Sequence, residues 1–138
     1  MEIKQRAKQI VKKIWEEFGQ ISIPDRITED TPCRDQEREQ IEVQFGGLGR
    51  DDMSEEDVSM MLIDSALILP EAYLYFLPRL VNDVLLSDAD IYFLTPQIES
   101  LLGVDWLEPA QKHALHQLLE LLINVEEHYE EYYFGRSL

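Results

Sequence analysis

Two prolines eight positions apart enclose the most apolar stretch of this chain, and that stretch constrains the fold more than any other feature. Positions 69–80 have the sequence LPEAYLYFLPRL, with three aromatic residues between Pro70 and Pro78. Pro70 suits the first turn of a helix, where its missing amide hydrogen costs nothing, whereas Pro78 inside the apolar pattern kinks or restarts the helix. The stretch therefore predicts a buried, kinked helix at the centre of the fold.

Apolar residues at intervals of three and four predict further helices before this stretch. Those between Ile3 and Phe18 share one face of a first helix, which has a lysine-rich back and ends at Gly19. A second helix is expected near Arg34 to Phe45. Because residues 41–45 alternate like a strand, a short strand there is an alternative.

Three local patterns mark the starts of the later helices. Ser54 with Asp57 resembles a capping box and opens a helix to about Leu67, Thr95–Pro96 opens a short helix through Leu102, and Glu108–Pro109 opens the longest one. The chain is therefore predicted to be all-α or nearly so, a single domain over residues 1–138 with five or six helices. The core candidates are Tyr73, Phe76, Leu77, Leu80, Trp106, Leu115 and Leu118.

Apolar side chains in the last predicted helix form a seam with a strict spacing of three and four, typical of helix packing. That seam is either a contact within the chain or the contact of a homodimer. Its members are Leu115, Leu118, Leu122, Val125, Tyr129 and Tyr132.

The chain is strongly acidic, with 12 Lys and Arg against 28 Asp and Glu and a formal net charge of -16. Most of the excess lies in residues 51–138, which hold three basic and eighteen acidic side chains. Such a surface repels phosphate backbones and anionic membranes, so direct nucleic-acid or membrane binding is not expected. It favours a basic protein as partner, although an acidic surface that only maintains solubility is the alternative.

The single cysteine, Cys33, cannot form a disulfide within the chain, which fits a reducing compartment. The amino-terminal segment is basic and amphipathic, but it lacks an uninterrupted apolar stretch and a small-residue cleavage site. No apolar run approaches the length of a membrane span, about 20 residues. A cytoplasmic protein is therefore expected.

Three side chains of the last predicted helix have a spacing that suggests a metal site. His113 and His116 lie one turn apart and Glu120 follows one turn later, a set that zinc accepts. The spacing differs from the i, i+4 histidines of HExxH, so solvated histidines are the alternative, and no metal or other cofactor is expected. Carboxylates at Asp83, Asp88 and Asp90, with Asn82, lack the EF-hand spacing for calcium and are interpreted as turn and cap residues.

The C-terminal run at positions 126–134 mixes acids with aromatics, a composition that suits contact with a basic protein surface. A docked helix end with its acids in water is the alternative. The candidate binding residues are Glu126, Glu127, Tyr129, Glu130, Glu131 and Tyr132.

One family resemblance follows from these residues. Phe18, Pro24, Cys33, Glu37 and the Phe45–Gly47 turn, together with the PEAYLYFLP block at positions 70–78, resemble a family of small bacterial domains of unknown function. The likeness covers about residues 8–122 and leaves out the acidic tail. It implies a mostly helical bacterial cytoplasmic protein, and it implies no activity and no catalytic residues.

No set of residues has the spacing of a known catalytic site, so we expect a protein that is not an enzyme. The first hypothesis is an acidic interaction domain that binds a basic partner, as immunity proteins and inhibitors do. The alternative is a metal-dependent or small-molecule enzyme that uses His113, His116 and Glu120. A structural subunit that pairs through the seam of the last helix is a third hypothesis.

Overall fold

The computed structural model describes residues 2–30 and 35–135, and over these ranges it contains helices and no strand. The all-α class is therefore confirmed. Seven α-helices form, and two 3₁₀ turns, at Arg50–Asp52 and Ser65–Leu67, precede α3 and α4. The helices are α1 (Ile3–Phe18), α2 (Gln36–Phe45), α3 (Glu55–Ile63), α4 (Pro70–Leu86), α5 (Ile91–Leu101), α6 (Pro109–Glu127) and α7 (Tyr129–Phe134).

Helix α4 is the centre of the fold, because α1, α3 and α5 all pack against it. Helix α6 closes the other side by packing on α1 and α5. All but a few residues of α4 are buried, which explains its nearly uninterrupted apolar sequence. The helix begins at Pro70 as predicted, and it continues through the buried Pro78 without restarting.

Two predicted helix starts are confirmed by their hydrogen bonds. The Ser54 hydroxyl accepts from the Asp57 amide at 3.0 Å, and the Asp57 carboxylate accepts from the Ser54 amide at 3.0 Å. Glu108 caps α6 directly before Pro109. Both patterns depend only on residues within one turn, so the sequence alone was sufficient to find them.

Residues 41–45 belong to a helix, so the strand alternative is wrong. Ile41 and Phe45 are buried one turn apart on the same face of α2, whereas Val43 between them is 84% exposed. A strand would have placed all three on one face. Asp35 fixes the start of this helix by accepting from the Arg38 amide at 2.8 Å.

Helix α5 starts earlier than predicted. Asp90 is its cap and accepts from the Tyr92 amide at 3.0 Å. Thr95 lies inside the helix, buried, with its hydroxyl donating to the Ile91 carbonyl at 3.3 Å. A threonine can bond forward as a cap or backward within a helix, and here the aspartate five residues earlier takes the capping position.

The number of helices is also larger than the five or six predicted, because the last predicted helix is divided at His128. That residue has φ −119° and ψ 37°, and its amide is shared between the carbonyls of Asn124 and Val125. The seam at positions 115–132 therefore spans two helices. Its leucines and Val125 are fully buried within this chain.

Six of the seven core candidates have no exposed surface, and Trp106 is the error, with 51% of its surface exposed. It lies in the turn between α5 and α6, where the following residue, Leu107, is buried instead. Val104 in the same turn also packs against the core, so the apolar contacts of this turn are made by the neighbours of Trp106.

One charged side chain, Arg50, is buried between α1 and α4 and was not predicted from the sequence. Its guanidinium donates to the main-chain carbonyls of Phe18 at 3.4 Å and Gly19, at the end of α1, and to that of Tyr75 in α4 at 2.8 Å. The group also lies over the rings of Trp15 (4.9 Å) and Tyr75 (4.7 Å). Helix α1 has no basic residue in its last turn, so this cation supplies the favourable charge at its negative end.

The main chain of Arg50 also forms hydrogen bonds to side chains of α4. Its amide donates to the Tyr75 hydroxyl at 3.0 Å, and its carbonyl accepts from Arg79 at 3.0 Å. Arg79 in turn forms an ion pair with Asp83 at 3.1 Å. The 3₁₀ turn is therefore fixed to α4 at two successive turns of that helix, at Tyr75 and at Arg79.

We expect Arg50→Met to destabilise the protein by about 2–4 kcal/mol, because buried carbonyls at the end of α1 and in α4 lose their donor. Arg50→Lys should lose most of the same free energy of unfolding, since an ammonium group has no planar fork and does not stack between two rings. Urea unfolding measures both changes. Arg26→Met, at an exposed arginine paired with Asp30, is the control; equal effects at positions 26 and 50 would contradict the expectation.

Candidate interaction surface

Acidic and aromatic side chains from α5, α6, α7 and the α4–α5 turn meet at one end of the molecule. Asp90 lies directly before α5, Glu126 lies in the last turn of α6, and Tyr129 is the first residue of α7. We call this region the acidic–aromatic patch. Its members are Asp88, Asp90, Tyr92, Glu99, Glu126, Tyr129, Glu130, Tyr133 and Phe134.

The rings of the patch pack against one another in a cluster that we call the ring stack, in which Tyr92 lies nearly parallel to Tyr129 and the other rings are tilted. Tyr129 lies at the centre, with the ring of Tyr92 stacked on it at 5.6 Å, Tyr133 at 4.9 Å and Phe134 at 6.1 Å between centroids. Tyr92 and Phe134 at the two ends are each 56% exposed. The stack therefore presents aromatic surface to solvent at positions that internal contacts hold in place.

Helix α7 is too short to be stable alone, and two tyrosine hydroxyls attach it to the end of α4. Tyr132 donates to the Leu85 carbonyl at 2.5 Å, and Tyr133 donates to the Val84 carbonyl at 2.6 Å. These carbonyls lie in the last turn of α4, where the helix itself provides no partner. The aromatic residues of the C-terminal run are thus partly structural.

Two groups of the patch, Glu126 and Tyr129, have a raised pKa. Burial raises the pKa of Glu126, and the charges of Glu99 and Asp90 raise it further against a hydrogen bond from Thr95. Burial likewise raises the pKa of Tyr129, with Tyr92 and the acids around it adding to the effect. Within the described ranges no ion pair compensates Asp88, Asp90, Glu99 or Glu126. The patch is therefore a site of negative potential.

The predicted binding run does not form one surface, because it follows the turns of a helix. Glu126, Tyr129 and Glu130 have the spacing of one helical face and contribute to the patch, and Glu127 is exposed. Glu131 and Tyr132 point the other way and line a cavity against α1. Tyr132 is only 3% exposed, so its inclusion as a surface residue is wrong.

Sequence reasoning missed the contribution of the chain before and within α5. Asp88 and Asp90 were interpreted as turn and cap residues, which Asp90 is, but their charges also act on Tyr129. Tyr92, whose ring stacks on that of Tyr129, is absent from the predicted binding residues. The available signal was an Asp-x-Asp-x-Tyr pattern at positions 88–92 at a helix start, and nothing local connects it with residues 126–134.

The alternative metal site is not assembled. His113, His116 and Glu120 are all exposed on α6, and no group of three or more possible ligands comes together in residues 2–30 and 35–135. Of the acids considered for calcium, Asp83 instead binds Arg79 and Asn82. Cys33 lies outside the described residues.

No match to this chain emerges from comparison with protein-family models, with curated proteins or with solved structures. The resemblance carried by the PEAYLYFLP block therefore stays a prediction. Among the helices of the described ranges, none has both the length and the apolar character that crossing a bilayer requires.

We expect Glu126→Gln to stabilise the protein at pH 7 and to have no such effect at pH 3.5. A carboxyl group whose pKa is raised above its ordinary 4.5 favours folding in its protonated form, so stability falls as the pH rises through the raised value. The gain should not exceed about 1 kcal/mol, because water screens a partly exposed charge. Thermal unfolding across this pH range measures it, with Glu127→Gln as control; a gain that is the same at both pH values would contradict the assignment.

The buried tyrosines should make the protein sensitive to alkali. Burial raises the pKa of Tyr132 to about 12 and also raises that of Tyr133, so the fold favours both neutral phenols. The contribution of these two tyrosines to stability should therefore be constant below the ordinary value of 10.0 and should fall as the pH rises towards 12. Phenolate absorbance followed together with circular dichroism should show these phenols ionising only as the helices unfold. Complete ionisation in a folded protein at pH 11 would contradict this.

Proposed function

We propose that this protein is a non-catalytic interaction domain whose acidic–aromatic patch binds a basic segment of a partner protein, in the manner of an immunity protein or an inhibitor. The observation that carries the proposal is the exposed ring stack centred on Tyr129, next to the carboxylates of Asp88 and Asp90, which form no ion pair within residues 2–30 and 35–135. An arginine or lysine bound there would gain a carboxylate partner and an aromatic face together.

The raised pKa of Glu126 supports the same conclusion. Burial is its main cause and the charges of Glu99 and Asp90 add to it, so a cation bound beside this carboxylate would remove part of the cost of ionising it. Binding at such a surface is accelerated by electrostatic steering and weakened by salt. The partner is therefore expected to present a cluster of arginine or lysine side chains.

The distribution of charge over the chain supports a basic partner more generally. Residues 51–135 contain only Arg79 and Lys112 as basic residues, and Arg79 is already paired with Asp83. Nine of the twelve lysines and arginines belong to the first fifty positions, including the exposed lysines of α1. The helices that form the patch thus supply almost no cations of their own.

The test compares two triple variants of equal net charge. One replaces carboxylates of the patch, Asp90→Asn with Glu99→Gln and Glu126→Gln; asparagine keeps the cap of α5. The other replaces exposed carboxylates elsewhere, Glu56→Gln with Glu71→Gln and Glu120→Gln. Calorimetric titration with an arginine-rich peptide at low salt should show affinity reduced about tenfold in the patch variant alone.

The same two variants identify the natural partner. A basic protein retained from lysate of the source organism by the wild type and by the remote variant, but lost with the patch variant, would be that partner. Tyr92→Ala should weaken retention as well, because it removes the exposed end of the ring stack. Equal losses in both triple variants would show that only the total charge matters, and would overturn the proposal.

A further inference from the structure

An exposed face of α5 extends the acidic–aromatic patch. Tyr92 and Phe93 at its start are 56% and 42% exposed, and Pro96, one turn later, is exposed as well. Since successive residues of a helix are about 100° apart, the two rings lie on either side of the proline. The first half of α5 thus presents three neighbouring apolar side chains to solvent, one of which, Tyr92, belongs to the ring stack.

A carboxylate lies at each end of this face. Asp90 comes directly before α5 and is fixed there, because it accepts a hydrogen bond from the Tyr92 amide. Glu99 is exposed near the other end, seven residues after Tyr92 and therefore about two turns further on the same side. Measured along the helix, Asp90 and Glu99 are about 13 Å apart, since an α-helix rises about 1.5 Å per residue. Neither forms an ion pair within residues 2–30 and 35–135.

The two terminal carboxylates and the apolar surface between them form one continuous region. Burial raises the pKa of Glu126, and the charges of both Glu99 and Asp90 raise it further, so Glu126 lies within reach of both ends of the face. The order along α5 is therefore a carboxylate, an apolar surface and a second carboxylate. A ligand complementary to this order has a basic group, an apolar group and a second basic group in sequence.

The distance between the carboxylates distinguishes an extended ligand from a helical one. An extended chain advances about 3.3 Å per residue and its side chains alternate, so residues four apart are about 13 Å apart and project from the same side. A residue midway between them projects from that side too. A helical ligand needs nine residues to cover the same distance, and nine residues place the two side chains on opposite sides of the helix. The geometry of α5 therefore favours an extended ligand.

We propose that the basic segment bound by this protein is extended and carries a basic residue, an apolar residue two positions later and a second basic residue two positions after that. This inference rests on the proposed function and specifies the ligand of the same surface. One basic side chain binds Asp90 and the other binds Glu99. The apolar side chain between them contacts Phe93 and Pro96, which lie near the middle of the face.

The first experiment varies the spacing of two arginines at constant charge. Acetylated and amidated peptides of one length, on a background of glycine and serine, carry a leucine two positions after the first arginine. The second arginine follows the first by three, four or seven positions, seven being the spacing nearest to this distance that a helix presents on one side. NMR titration of the intact protein at low salt should give the tightest binding at four, by about fivefold, as expected for one additional exposed charge pair.

Variants of the protein assign the three contacts. Asp90→Asn, which keeps the cap of α5, and Glu99→Gln should each abolish the advantage of the four-position spacing, whereas Glu127→Gln, exposed in the last turn of α6, should preserve it. Phe93→Ala should remove the advantage of leucine over glycine at the middle position. Ile63→Ala, at an apolar residue exposed on α3, is its matched control and should leave that advantage unchanged.

Four results would overturn the inference: no binding of the four-spaced peptide at millimolar concentration, equal affinity at every spacing, tightest binding at three or seven, or an advantage of four that survives in both carboxylate variants. The proposed function is judged separately, with the arginine-rich peptide. Binding of that peptide that is weakened only in the patch triple variant, together with any of these four results, would leave the acidic–aromatic patch as the binding surface and remove only the extended segment.

Discussion

The buried guanidinium of Arg50 is the interaction on which the arrangement of the helices depends. The carbonyls at the end of α1 need partners once α4 covers them, because that of Phe18 is buried and that of Gly19 is partly buried. A single planar cation bonds those carbonyls and one of α4 together, and two aromatic rings cover its faces. Without it, the principal packing contact of the fold would bury polar groups that lack partners. The desolvation cost of the charge is offset because its partners are carbonyl dipoles and aromatic rings directed at it.

The parts of the fold that the sequence predicted well are those that depend on neighbours within one turn. Ser54 with Asp57, Pro70, and Glu108 with Pro109 each begin a helix as expected, since cap and proline chemistry is local. The predictions that Thr95 caps α5 and that Trp106 lies in the core are wrong. Each residue can take either of two positions locally, and packing with distant residues decides between them. Arg50 could not be recognised at all: its partners come from α1 and α4, and a lone arginine after a glycine-rich turn is expected in solvent.

The candidate surface shows the same limit. The acids and rings at positions 126–134 were noticed as a binding region, and Glu126, Tyr129 and Glu130 do contribute to the patch. The sequence did not reveal that a helix divides such a run between two faces whose neighbours differ. Asp90 and Tyr92 belong to the patch although they lie more than thirty residues earlier in the chain, and Lys4 approaches the other face of the run from α1. Which distant segment covers each face is a property of packing, and no local pattern records it.

The contact that Arg50 makes between α1 and α4, which we call the Arg50 joint, depends on residue identity far more at position 50 than at its partners. Its acceptors in Phe18, Gly19 and Tyr75 are main-chain oxygens, which every amino acid possesses, whereas all the donors belong to one side chain. Substitutions around the joint can therefore accumulate, provided that an aromatic face and sufficient apolar volume are kept, while position 50 itself cannot change. A chain held together in this way is free to drift far in sequence and still keep the same helices in the same places.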